Sequence, residues 1–522
     1  MNPRATRRKF LAEVGRGMLL TTLGLELGRD LGLAPALAAD TDAALSFGPL
    51  EPLVRLMQET SAEALLPQLA GRLSSGTDLR QLVAAAALAN ARTFGGEDYV
   101  GFHTMMALAP AFHMAQELPA AAQPLPVFKV LYRNTRRIQE HGGRQGEVLH
   151  VVPPAAASPD QPSGEVLRAA IRRKDSAAAE QTFAALAHGS AADALNHLLT
   201  AVQDSTEVHR VVLPYRAWDL LGIIGPEQAH TLLRQSVRYC VQAEARSPSA
   251  TADEPRRLLP KLLDEHHLHA RAPGERAAED PWVEQLSQTF FKSSPEQAAA
   301  AAAAALAEGI APAAIGEAIT LAANQLLLRD YGRTPRDESP GKPLGSVHGD
   351  SIGVHACDSA NAWRNLARVG NPRNCIASLI LGAYQVALDR TQRGGDFLNW
   401  PPLPYGWQFE QLKPITDADA LLREADEAIR GNLQTRAAGL IHRYGELGHP
   451  PRPALDLLLR YAVSEDGSLH AEKFYRTSFE EFSNARGPFR WRFLVALARV
   501  TASEYGRPAP GVAESRALLK LA

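Results

Sequence analysis

Apolar positions along most of this chain recur every three to four residues, the spacing that lines one face of an α-helix. Leu53-Val54 with Leu56-Met57 opens one such segment, and Ala62 to Leu73 continues a second with Thr60 or Ser61 as cap. Thr77-Asp78 leads into an alanine-rich stretch, Leu79 to Ala91. Alanine loses little entropy in a helix and lets neighbours approach closely, so a buried helix is expected there. Val166 to Ala187 and Ala191 to Val202 read as two helices split at Gly189, and Pro226 opens another that runs to about Glu244. Ser294-Pro295-Glu296-Gln297 has the form of a capping box and precedes the alanine run Ala298 to Ala305. Further helices are expected over Arg373–Arg390, Asp417–Ile429, Asn432–Tyr444, Pro453–Val463 and Trp491–Glu504.

Irregular segments fall at Pro153–Gly164, Arg246–Arg257 and Asp330–Gly349, the last being the longest, with further turns at Gly394-Gly395 and Pro401 to Pro404. The best strand candidates, Val148–Val152 and Val208–Leu213, are short. The expected class is all-α: a large multi-helix body with long irregular loops. At 522 residues with 45% hydrophobic and 21% charged residues, the chain is long and apolar enough to build a substantial core, and it is not wholly disordered. The balance of 55 basic against 57 acidic residues speaks against a generic nucleic-acid binder. Three cysteines are too few for a disulfide scaffold.

The first forty residues carry a different signal. Thr6-Arg7-Arg8-Lys9-Phe10-Leu11 resembles the twin-arginine export motif, in which Ser or Thr precedes two arginines, any residue and Phe-Leu. A modestly apolar stretch, Met18 to Leu25, follows, interrupted soon after by Glu26, Arg29 and Asp30, and Ala36-Leu37-Ala38 has small residues at cleavage spacing. The apolar stretch is far shorter than the roughly 20 residues a bilayer span needs. The expected division is a signal over residues 1–38 and a helical domain over residues 39–522. The resemblance implies passage through the twin-arginine machinery, a periplasmic or otherwise exported destination, and no stable membrane insertion after processing; a basic amphipathic helix on a protein that stays in the cytoplasm is the alternative. Cargo of that pathway folds before crossing and often carries a metal or redox cofactor.

Three segments echo one another. Gly95 to His103, Asp204 to His209 and Gly349 to His355 each run from acidic and small residues to a hydrophobic residue and a histidine, and a helix is expected after each. Degenerate helical repeats that stack bring equivalent positions together. His103, His209 and His355 could therefore converge on one cavity and bind a metal ion; alternatively they are unrelated members of a set of 16 histidines. His113 lies too far along its helix from His103 to share the same ion directly. His348, Asp350, His355 and Asp358 form the densest mixed cluster, with His348 a further candidate ligand. Asp350 or Asp358 could complete a shell, orient an imidazole or accept a proton. Arg216 beside His209 could neutralise an anion.

Other features admit ordinary readings. Arg133, Arg136 and Arg137 share a helical face that could hold an anionic group or simply meet solvent. Asp264 to His269 is metal-like in composition but reads as an exposed loop, and Tyr215, Trp218, Trp363 and Tyr384 suit a core. No serine-hydrolase, nucleotide-binding, zincin or haem-attachment motif is present. The expectation is an exported metal-dependent enzyme acting on a small molecule, anionic if the arginines face it. An oxidoreductase is ranked slightly ahead of a metal hydrolase, with Fe favoured over Zn or Cu. A non-catalytic helical binding or scaffold protein is the rival, and it predicts scattered histidines.

Overall fold

In a computed structural model the described residues are 44–155, 163–246, 254–392 and 396–521. The twin-arginine motif and the cleavage-spaced alanines lie outside them. The described residues form 23 α-helices and a few short 3-10 turns, with isolated β-bridges and no strand. The chain is all-α, a large multi-helix body. No helix among the described residues is long and apolar enough to cross a membrane.

Two units separate. In the smaller, Ala44 and His150 form an antiparallel bridge. The larger comprises residues 46–149 and 154–522 and contains the helices. Both strand candidates are corrected. Val148–Val152 contributes only the bridge at His150, and Val208–Leu213 is the start of helix Val208–Ile224. Glu207 accounts for the latter: its carboxylate accepts from the His209 and Arg210 amides, capping a helix where side-chain pattern alone reads as strand. The helix expected over Val166–Ala187 is two helices, Ser163–Arg172 and Ser176–Leu186. The break falls at Lys174, with φ of 62°, and Asp175 caps the second piece.

Capping chemistry fixes the other boundaries. Asp78 and Gln81 close a reciprocal capping box on helix Leu79–Phe94, which is buried from Leu82 onward and ends at Gly95 with φ of 56°. Asp98 accepts from the Gly101 amide at 2.7 Å and opens helix Tyr99–Gln116. The same carboxylate is gripped by Arg137 through Nε at 2.9 Å and Nη2 at 2.6 Å. Asn90 ties the two helices and a third together, donating to Gly101 O at 2.8 Å and to Asn134 Oδ1 at 2.7 Å. The Ser294–Gln297 box forms as its sequence predicts, at the head of Pro295–Ala307.

The basic run in Pro124–Glu140 is not a free face. Arg137 holds Asp98, Arg133 pairs with Asp466 and Arg136 with Glu140. His269 pairs with Asp264 in an exposed segment. Trp363 is fully buried and donates to Gln385 at 2.7 Å, and Cys240, Cys357 and Cys375 are buried free thiols.

Candidate metal centre

Four helices bring four imidazoles together. His103 lies in the first turns of Tyr99–Gln116, His209 is the second residue of Val208–Ile224, and His355 lies in the first turn of Ile352–Val369. His470 immediately precedes Ala471–Asn484. The ring centroids of His103 and His209 are 4.9 Å apart, those of His209 and His355 5.6 Å, of His355 and His470 5.3 Å, and of His470 and His103 5.2 Å. The rings form a closed circuit, and His103, His355 and His470 are at least nine-tenths buried.

Three of the four are oriented from outside. His103 Nδ1 donates to Tyr99 O at 2.7 Å, His470 Nδ1 to Ser468 O at 3.0 Å, and His209 Nδ1 to the Glu207 carboxylate at 2.7 Å. Carbonyls and carboxylates only accept, so each of these Nδ1 atoms carries the proton and leaves its Nε2 with a lone pair. The Nε2 atoms of His103 and His209 are buried without a hydrogen-bond partner, and that of His470 stands 3.2 Å from His355 Nε2. Glu207 is itself held by Tyr239 Oη at 2.8 Å. A donor nitrogen facing inward, with the other fixed by a carbonyl or carboxylate, is the outer-shell pattern of metal-ligating histidine.

The 3.2 Å contact between His355 and His470 also fits. Two nitrogens held at about 2.0–2.1 Å from one ion, at angles of about 90–109°, stand about 2.8–3.4 Å apart. As placed, no three His, Cys, Asp or Glu side chains among the described residues are set to hold an ion. The His355–His470 pair is bridged instead by a proton: His470 Nε2 has the lone pair, so His355 Nε2 is the donor. Burial, with the Lys473 ammonium next in importance, holds His103 and His470 well below the usual histidine range, which favours the neutral ring.

The surroundings are polar on one side and aromatic on the other. Phe102 packs at 5.1 Å from His209 and 5.3 Å from Tyr239, and Tyr99 tilts over His103 at 4.3 Å while half exposed. On the inner side Asp358 Oδ1 accepts from Thr477 Oγ1 at 2.8 Å, and Arg216 donates to the same hydroxyl at 3.2 Å. Burial raises the Asp358 carboxyl, opposed by Lys473 and Arg216. Asp358 and Arg216 are joined through Thr477, and Lys473 lies between His470 and Thr477 on one face of the same helix.

The other two site candidates lie elsewhere. His348 has both nitrogens occupied, Nδ1 by Ser503 Oγ at 2.8 Å and Nε2 by Gly341 O at 2.8 Å. Asp350 is bound by Arg333 at 2.5 Å and Lys342 at 2.9 Å, which overcome the effect of burial and bring its carboxyl down to about 2. Both brace the long loop rather than the histidine group, so neither is a ligand or base of this centre as placed. His113 meets Asp219 at 3.0 Å, outside the circuit.

His470 and Lys473 are the residues that sequence reasoning missed. The signal was there: Asp466-Gly467-Ser468-Leu469-His470, followed by a helix, is a fourth copy of the acidic-and-small, hydrophobic, histidine pattern. The chain matches no protein-family model, and no curated protein and no solved structure matches it.

Proposed function

We propose that this chain is an exported metal-dependent oxidoreductase whose ion is held by His103, His209, His355 and His470. The observation that carries the reading is the shared tautomer. His103, His209 and His470 each commit Nδ1–H to a carbonyl or carboxylate, which leaves an Nε2 lone pair on each of three neighbouring rings. Lone pairs gathered in a buried space repel one another unless a cation or a donor hydrogen sits among them. Imidazole donors suit Fe, Cu, Ni and Zn. Four protein ligands complete a tetrahedral shell and leave no position for the water that zinc hydrolases activate, whereas a five- or six-coordinate iron keeps open positions. This favours oxidation over hydrolysis, and Fe over Zn. The twin-arginine resemblance supports export of a protein loaded and folded beforehand.

Metal analysis of the full protein purified from its own producing cell tests the reading. Stoichiometric metal, with iron in excess of zinc, is expected in the wild type. His209→Ala and His470→Ala should lose it while keeping native helical circular dichroism. A folded wild type without metal would instead support a helical scaffold.

A further inference from the structure

Lys129 and Lys473 are both almost completely buried, but they are treated differently by the fold. Lys129 Nζ donates to Ala462 O at 2.8 Å and to Glu465 O, and pairs with Glu472 at 2.7 Å. Lys473 makes no hydrogen bond or ion pair with another described residue. It lies one helical turn beyond His470 and one turn before Thr477, on the helix face that carries both the histidine and the Thr477–Asp358 contact. An ammonium has three donors and no acceptor, and its Nζ keeps some accessible surface, so a largely buried one is stabilised by an anion within reach.

Asp358 is the main acidic charge facing Lys473, but it faces the Arg216 guanidinium as well, so one carboxylate stands against two cations. Asp358 accepts from Thr477, beside the Arg216 guanidinium, and Glu472 turns to Lys129. Each of the four histidines lies at or within the first turns of its helix, so four helix N-termini surround the same space. Helix N-termini favour negative charge. The inward Nε2 lone pairs call for a cation, while the ammonium and the helix ends call for an anion. Both demands are met when an ion held by the imidazoles carries an anionic ligand on the Lys473 side.

We propose that Lys473 is the anion-holding group of this centre, donating a hydrogen bond to a small anion or ionised substrate oxygen bound at the metal's open position. This rests on the metal-centre reading above and names the substrate class the centre takes: small molecules that bind as anions, such as a carboxylate or an enolate. Lys473 is then a catalytic residue, and Arg216 acts at longer range by holding Thr477.

The test uses the full protein loaded with Cu(II) and titrated with azide, followed by the azide-to-copper charge-transfer absorption. The expected result is saturable azide binding by the wild type. Lys473→Met and Lys473→Gln should keep full copper content and bind azide at least about 10-fold more weakly, and Lys473→Arg should stay within about 3-fold of wild type. Two uncharged variants are used so that a folding failure of one, seen by circular dichroism, leaves the other to decide. Equal azide affinity in wild type and a folded uncharged variant overturns the Lys473 assignment and leaves the metal centre standing. So does loss of copper from both uncharged variants, or a copper-loaded wild type that binds no azide. A wild type that takes up no copper overturns both readings.

Discussion

At the scale of single residues, what distinguishes the histidine group from the chain's other imidazoles is the use of the second nitrogen. His348 spends both on the protein, whereas His103 and His209 spend one and keep the other buried and free. Residue type and spacing made His103, His209 and His355 legible as a group, but could not separate them from His348, because hydrogen-bond partners are set by tertiary contacts. Glu207 is the clearest outer-shell test. Glu207→Gln keeps a helix cap but replaces the charged partner of His209 Nδ1, and metal affinity should fall about 10- to 100-fold with little change in fold, read by competition with a chelator. His348 makes a separate prediction about stability. Burial brings its pKa from 6.5 down to about 4, so the unfolded chain binds the proton more readily than the folded one. Stability contributed by neutral His348 is complete above pH 6.5 and is lost as pH falls toward 4. At about 1.4 kcal/mol per pKa unit, the loss is about 3 kcal/mol. Denaturant melts between pH 7 and 4 should show this slope, and His348→Gln should flatten it.

At the scale of elements, the helices that were legible are those whose caps and apolar stripes agree, such as Pro295–Ala307 behind its Ser294 box. Ser294→Ala should lower stability by about 1 kcal/mol, measured by thermal unfolding. Helix Ala471–Asn484 was not legible, for a physical reason. Glu472, Lys473, Thr477, Ser478 and Glu481 are all buried, so its inner face is largely polar and the apolar stripe that marks a helix is diluted. Polar inner faces are where the site is, which is why the pattern fails there. Position of the site also depends on close approach between helices. A Cβ at Gly353 would stand 2.6 Å from Leu327 Cα, a backbone atom that cannot swing away. Gly353→Ala should therefore push helix Ile352–Val369 from Pro312–Arg329, cost about 1–3 kcal/mol, and lower metal occupancy through His355. Calorimetry and metal content read the two effects.

At the scale of the whole molecule, the four histidines come from positions separated by more than three hundred residues, yet each begins or precedes a helix after the same short motif. Helical periodicity gave the all-α class from sequence, and that recurrence gave three of the four imidazoles. The fourth copy shows that the repeat reads further than its first three instances. The proposed export would be a property of the whole chain. Arg7→Lys with Arg8→Lys should leave the protein in the cytoplasm, seen by cell fractionation, without changing its metal content once purified.

The central claim is that four distant histidines hold one ion through nitrogen. X-ray absorption at the metal edge of the protein as purified tests it most directly. The account predicts a shell of nitrogen at about 2.0–2.1 Å with the outer scattering of three to four imidazole rings. A shell of oxygen or sulfur without imidazole scattering, or a sample with no metal edge at all, would contradict it.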